Sequence, residues 1–118
     1  MLFGATFGGL VTVEPAIRAI LSDLEIELRA LYGPQLVRLV LFGSQARGDA
    51  DDGSDIDVLV VLRGPVDAWN EIERTGRVVA DLSLAHAVVI SCVFVTEDTY
   101  RLEESPLLLN VRREGVLI

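Results

Sequence analysis

The chain has 118 residues, enough for one domain with a hydrophobic core. Hydrophobic residues make up 51% and charged residues 24%, the balance of a compact α/β protein. The net charge of -8 argues against nonspecific binding to nucleic acid, whose phosphates it would repel, and the lone Cys92 excludes an internal disulfide and fits a reducing cytoplasm.

Residues Met1 to Val13 are apolar and glycine-rich but lack the basic start of a secretory signal. They read as a short strand, a loose N-terminal arm, or residues upstream of the true start. No apolar run is long enough to span a bilayer. Glu14-Pro15 opens a helix, with Ile17, Ile20, Leu21, Leu24, Leu28 and Leu31 recurring at helical spacing. Tyr32-Gly33-Pro34 stops it.

Leu36 to Phe42 is an apolar strand interrupted by Arg38. Gly43-Ser44 follows at once. Gly43 tolerates turn geometry and close backbone approach, and Ser44 is placed to cap a short helix at Gln45 to Arg47. Such a helix start can hold an anion, although Gly-Ser after a strand is also ordinary turn chemistry. Arg47 has two readings, a surface cation balancing nearby acids or a guanidinium for phosphates. Asp49, Asp51 and Asp52 read as solvated loop charges, and Ser54 as a hydroxyl that stabilises the turn.

Asp55-Ile56-Asp57 opens the second strand, Ile56 to Leu62. Residues i and i+2 of a strand face the same way, so the two carboxylates project together while Ile56 turns to the core. Like charges at that spacing favour a cation between them, and hard oxygens suit Mg²⁺. The plainer reading is an acidic strand edge facing solvent.

Arg63-Gly64-Pro65 ends this strand. Asp67 to about Ala85 reads as a crossover helix, with Trp69, Ile72, Val79 and Leu82 directed inward and Gly76 weakening its continuity. His86 sits at its exit in a capping or surface role. Ala87 to Val95 is the third strand and holds Cys92, read as a small buried hydrophobe. Thr96 caps a helix running to about Glu104, and Ser105-Pro106 starts another that ends near Gly115, with Arg112 and Arg113 favourably placed against its dipole. The fold class is therefore α/β (α+β): a small mixed β-sheet flanked by helices, forming a single domain over residues 1–118.

Gly43-Ser44, the intervening loop with Ala46-Arg47-Gly48, and Ser54-Asp55-Ile56-Asp57 together resemble the signature of minimal nucleotidyltransferases of the DNA polymerase beta superfamily. The ends Ser105-Pro106-Leu107 and Asn110 to Gly115 are similar to those of small members. The resemblance implies a nucleotidyltransferase fold. It implies that Gly43, Ser44 and Arg47 hold the triphosphate of ATP, and that Asp55 and Asp57 hold Mg²⁺ for catalysis. The implied reaction moves a nucleoside monophosphate, AMP from ATP, to a hydroxyl acceptor. The implied partner is a HEPN-domain toxin, which would make this chain a cytoplasmic antitoxin. The alternative is a catalytically weakened module that neutralises or scaffolds a HEPN partner by contact. The family usually supplies a third carboxylate from a neighbouring strand. Here that position aligns with Ser91, in a strand without acids. Asp81, Glu97 or Asp98 would replace it only if the helix ends turn toward the site. A homodimer or a hetero-complex is expected, because the chain has no room for an acceptor domain.

Overall fold

The computed structural model describes residues 13–51 and 53–118. The expected strand or arm over residues 1–12 lies outside them, but Val13 is packed in the core. Helix α1 (Pro15–Tyr32) begins with proline in its first turn, where the missing N–H costs nothing. A 3₁₀ turn, Gly33–Gln35, leads to β1 (Leu36–Phe42). A four-residue helix, α2 (Ser44–Arg47), and a loop precede β2 (Ile56–Leu62). Then come α3 (Ala68–His86), β3 (Ile90–Thr96), α4 (Glu97–Leu102), α5 (Pro106–Glu114) and β4 (Val116–Leu117).

The sheet has the order β3-β2-β1-β4. β1 pairs antiparallel with β2 and with β4, while β2 and β3 run parallel. The α3 crossover makes that parallel pair possible. Strand β2 is central and its residues from Val58 to Leu62 have no solvent exposure, which explains their unbroken apolar character. One face of the sheet packs Leu39, Leu41, Val58 and Val60 against Leu24 and Leu28 of α1 and Val79 and Leu82 of α3. The other packs Val40, Leu59 and Val61 against Leu108 and Val111 of α5. Each fully buried Leu or Val contributes about 1.5–3 kcal/mol relative to exposure.

Several sequence expectations need correcting. The buried stripe of α1 ends on Tyr32, whereas Leu31 is exposed. Positions 24, 28 and 32 continue in steps of four, and Tyr32 reaches Glu71 of α3 with its hydroxyl at 2.7 Å. That contact also sets the phase of α3. Glu71 and Thr75 are buried there, and Val78, Val79 and Leu82 pack against the core. Trp69 and Ile72 face outward at 67% and 51% exposure, not inward as expected. Helix α3 runs unbroken through Gly76. The third strand starts at Ile90 rather than Ala87, because Ala87 takes a left-handed conformation that terminates α3. Helix α4 stops at Leu102, short of Glu104. β4 had no counterpart in the sequence reading.

The remaining caps follow the side chains. Thr96 accepts from Thr99 N–H at 3.1 Å and Ser105 from Leu108 N–H at 3.4 Å. Arg112 donates to the carbonyls of Tyr100 and Glu103, both at 2.6 Å, and so fastens α4 to α5. In β1 a register shift lies between Leu36 and Arg38, and the Arg38 guanidinium sits 5.6 Å from the centre of the Tyr100 ring. His86 lies 3.6 Å from Asp23 at the surface. Cys92 is half-buried against the core, and that burial pushes its thiol up to about 12.

Candidate active site

The β1–β2 pair carries the residues singled out in the sequence. Phe42 is the register partner of Asp57, so the turn leaving β1 begins beside the carboxylate entering β2. Gly43 occupies that turn at φ 76° and ψ −158°, a conformation open in practice to glycine alone. A Cβ added there would overlap Asp57 Oδ2 and stand 3.3 Å from Cγ. The glycine is thus required twice, by the backbone angle and by the carboxylate packed against it.

Helix α2 starts at this contact. Ser44 is its first helical residue and Gly43 is the cap, so the expected capping by the Ser44 hydroxyl does not occur. The Gly43 carbonyl accepts from the Ala46 and Arg47 amides, both at 3.1 Å. The amides of Ser44 and Gln45 have no backbone acceptor among the described residues and remain available as donors. Gly48 then ends the helix in the left-handed region at φ 83°. In the following loop Ser54 Oγ accepts from Asp51 N–H at 2.9 Å, as the turn-stabilising reading expects. Asp51 is exposed, and Asp52 lies outside the described residues.

Ile56 is fully buried, and its amide donates to the Val89 carbonyl at 2.8 Å. Asp55 and Asp57, on either side of it, stand away from that core. Asp57 is half-buried and Asp55 exposed. Burial, and secondarily the Asp55 charge, hold the Asp57 carboxyl above its ordinary value, while Arg47 pulls it back down. Two carboxylates that repel each other, one of them partly desolvated, form a donor set suited to a hard cation. Arg47 stands between both of its readings: its Nε lies 3.3 Å from Asp49 at the surface, and its charge is felt at Asp57.

A family model for the nucleotidyltransferase domain matches residues 21–110. The chain belongs to the nucleotidyltransferase domain family. Two proteins of Methanocaldococcus jannaschii are similar to it. The one named "Putative protein adenylyltransferase MJ0141" is 31% identical over 61% of this chain and 72% of its own length. Its counterpart MJ0604 is 36% identical over 62% and 67%. Among solved structures, a "putative minimal nucleotidyltransferase" superposes with TM-score 0.53 at 29% identity, covering 86% of this chain and 87% of that one. A crystal structure of a toxin-antitoxin with AMP-PNP superposes with TM-score 0.57 at 25% identity, covering 79% and 68%.

The third carboxylate that the resemblance implies is not supplied by the strand expected to carry it. Ser91 is the parallel register partner of Asp57 and lies on the same face of the sheet, where the third carboxylate is expected. The three acids expected as possible substitutes, Asp81, Glu97 and Asp98, stand elsewhere. Glu97 and Asp98 follow Thr96, which pairs with Leu62 at the far end of β2. Leu62 is five residue steps along the strand from Asp57, roughly 17 Å at 3.3 Å per residue. Asp98 is also tied to Arg101 at 3.1 Å. Asp81 is exposed on α3, which covers the opposite face of the sheet. Among the described residues no group of three or more acids, histidines or cysteines could hold a metal ion. Nor is any described helix long and apolar enough to cross a membrane.

Proposed function

We propose that the chain is a Mg²⁺-dependent protein adenylyltransferase, moving AMP from ATP to a hydroxyl on a protein partner. The observation that carries this reading is the contact of Gly43 with Asp57, which sets a backbone turn directly against a carboxylate. Asp55 and Asp57 would hold Mg²⁺, and bound Mg²⁺ supplies charge neutralisation at the phosphates. Gly43, without a side chain, lets phosphate oxygens approach the main chain. The Ser44 and Gln45 amides donate to them, and Arg47 adds a guanidinium if it leaves Asp49. In the reaction the acceptor oxygen bonds to the α-phosphorus, the bond to the β-phosphate bridging oxygen breaks, and pyrophosphate departs. The hydroxyl proton passes to solvent.

The acceptor on this reading is a hydroxyl, a tyrosine by family resemblance, on a HEPN-domain toxin in the cytoplasm, where ATP is abundant. The toxin-antitoxin neighbour and the two adenylyltransferase names support a protein acceptor. Incubation with labelled ATP, Mg²⁺ and a HEPN protein encoded next to this chain tests it. Label should move to that protein and transfer should be lost in Asp57→Asn. Equal transfer by Asp57→Asn would remove the carboxylate pair from the mechanism.

A second reading rests on Ser91. Without a third carboxylate the chain would silence its partner by contact alone. Full suppression by the double variant Asp55→Asn, Asp57→Asn would favour this reading over transfer.

A further inference from the structure

Among the described residues, strand β3 is the outermost strand on its side of the sheet and pairs only with β2. Its seven residues, Ile-Ser-Cys-Val-Phe-Val-Thr, contain no charge and no proline. Edge strands are normally protected by such residues, because their free N–H and C=O groups template pairing with another chain. Here Cys92, Val93 and Val95 stay partly exposed, whereas every residue of β2 from Val58 to Leu62 is fully buried.

The flank of α3 above this edge is also uncovered. Trp69, Ile72, Gly76, Ala80 and Ser83 fall within an arc of about 80° at 100° per residue, and the stripe is about 21 Å long. Trp69 and Ile72 are exposed, and Val89 beside the strand is 57% exposed. A groove lined by Ile72, Gly76 and Ala80 on one wall and Ser91 and Cys92 on the other joins helix to strand. Gly76 costs its helix about 1 kcal/mol relative to Ala. Nothing among the described residues requires it, since an added Cβ would meet none of their atoms within 4 Å.

The geometry points to a second copy of this chain on that surface, related by a two-fold axis that joins β3 to β3 in antiparallel pairing and crosses the two α3 helices at Gly76. The stripe is self-complementary. Its first half is large, Trp69 and Ile72, and its second half is small, Ala80 and Ser83. An antiparallel crossing centred on Gly76 sets Ile72 over the other copy's Ala80 and Trp69 over its Ser83. Charge agrees with this choice. Glu73 and Arg77 lie on the outer rim of the stripe, and among the described residues neither has an ion-pair partner. The same crossing brings each Glu73 alongside the other copy's Arg77. A strongly acidic chain thus presents a locally neutral face where it meets itself, and the dimer is a continuous eight-stranded sheet.

Sedimentation velocity and light scattering over two decades of concentration test this, with the emission of the sole tryptophan, Trp69, as an independent reporter. The wild type should reach twice the monomer mass, and its emission should shift to the blue as it does so. Gly76→Arg suits the helix and meets open space in the monomer, so it should keep its circular dichroism spectrum while weakening association by about a hundred-fold or more. Glu73→Arg should also weaken the dimer, and adding Arg77→Glu should restore it. A wild type that stays monomeric at every concentration overturns the proposal, even if it binds a different protein. So does a dimer that survives Gly76→Arg, or a charge swap that fails to rescue. Mass and emission are read without ATP, so failure here leaves the adenylyltransferase reading untouched.

Discussion

Replacing Gly43 by alanine perturbs the site at its tightest point. The added methyl would overlap Asp57 Oδ2 and lie 3.3 Å from Cγ, while the backbone stays at a φ of 76°. The backbone conformation alone costs a non-glycine residue about 1–3 kcal/mol. The carboxylate must also move, and a displacement approaching 1 Å at a reacting centre lowers turnover by roughly a hundred-fold. Gly48→Ala is the matched control. It too replaces a glycine at positive φ, 83°, but its Cβ meets nothing within 4 Å, so it carries backbone strain of about 1–2 kcal/mol and leaves the aspartates in place. Thermal unfolding of both variants, with AMP transfer measured at saturating Mg²⁺, separates strain from displacement. Both should lose stability, and only Gly43→Ala should lose about two decades of transfer rate. Equal transfer by the two variants would refute the idea that the turn and Asp57 act as one unit.

Tyr32→Phe removes the 2.7 Å donor from buried Glu71 and should cost about 1.5–3 kcal/mol in urea unfolding, whereas an idle contact would cost less than about 0.5 kcal/mol. The Asp57 carboxyl is held above its ordinary value in the folded state, so wild-type stability is greatest below the unfolded-state value and falls as pH rises through the folded one. Asp57→Asn should therefore be the more stable protein in metal-free buffer at neutral pH. The gap should close in acid and reverse on adding Mg²⁺, and a gap independent of pH would contradict the assignment. Ser91→Asp, set opposite Asp57 by the strand register, should tighten Mg²⁺ binding by about ten-fold or more in titration calorimetry while lowering metal-free stability. Unchanged Mg²⁺ affinity would show that Ser91 does not face the pair.

The first two strands were legible to the residue, because apolar runs interrupted only by Arg38 and by Asp57, and closed by Gly43 and by Arg63-Gly64, leave little freedom in placing Leu36–Phe42 and Ile56–Leu62. The placement of the candidate residues was legible for a related reason: they lie on one short stretch, where the turn after β1 and the alternation around buried Ile56 set Gly43 beside Asp57. Helix α3 was not. Apolar residues lie on several of its faces, and the buried one is selected by Tyr32 reaching Glu71, a contact between residues far apart in sequence. The inward turn of a glutamate and the outward turn of Trp69 are both decided there, beyond the reach of periodicity. β4 escaped notice because two residues carry no pattern, and only its pairing with Val40 and Leu41 defines it.

The pairing of β1 with β2 has a consequence for engineering. Gly43, Ser44, Arg47, Asp55 and Asp57 all belong to one antiparallel hairpin, closed by a local loop. Their relative placement is inherited from a single pair of neighbouring strands rather than assembled from distant segments. The hairpin is therefore a portable cassette. Transplanted into another sheet with the same strand separation and twist, it would bring the glycine-to-carboxylate contact with it, and the recipient would need to cover Ala46 and Ile56 and both faces of the two strands.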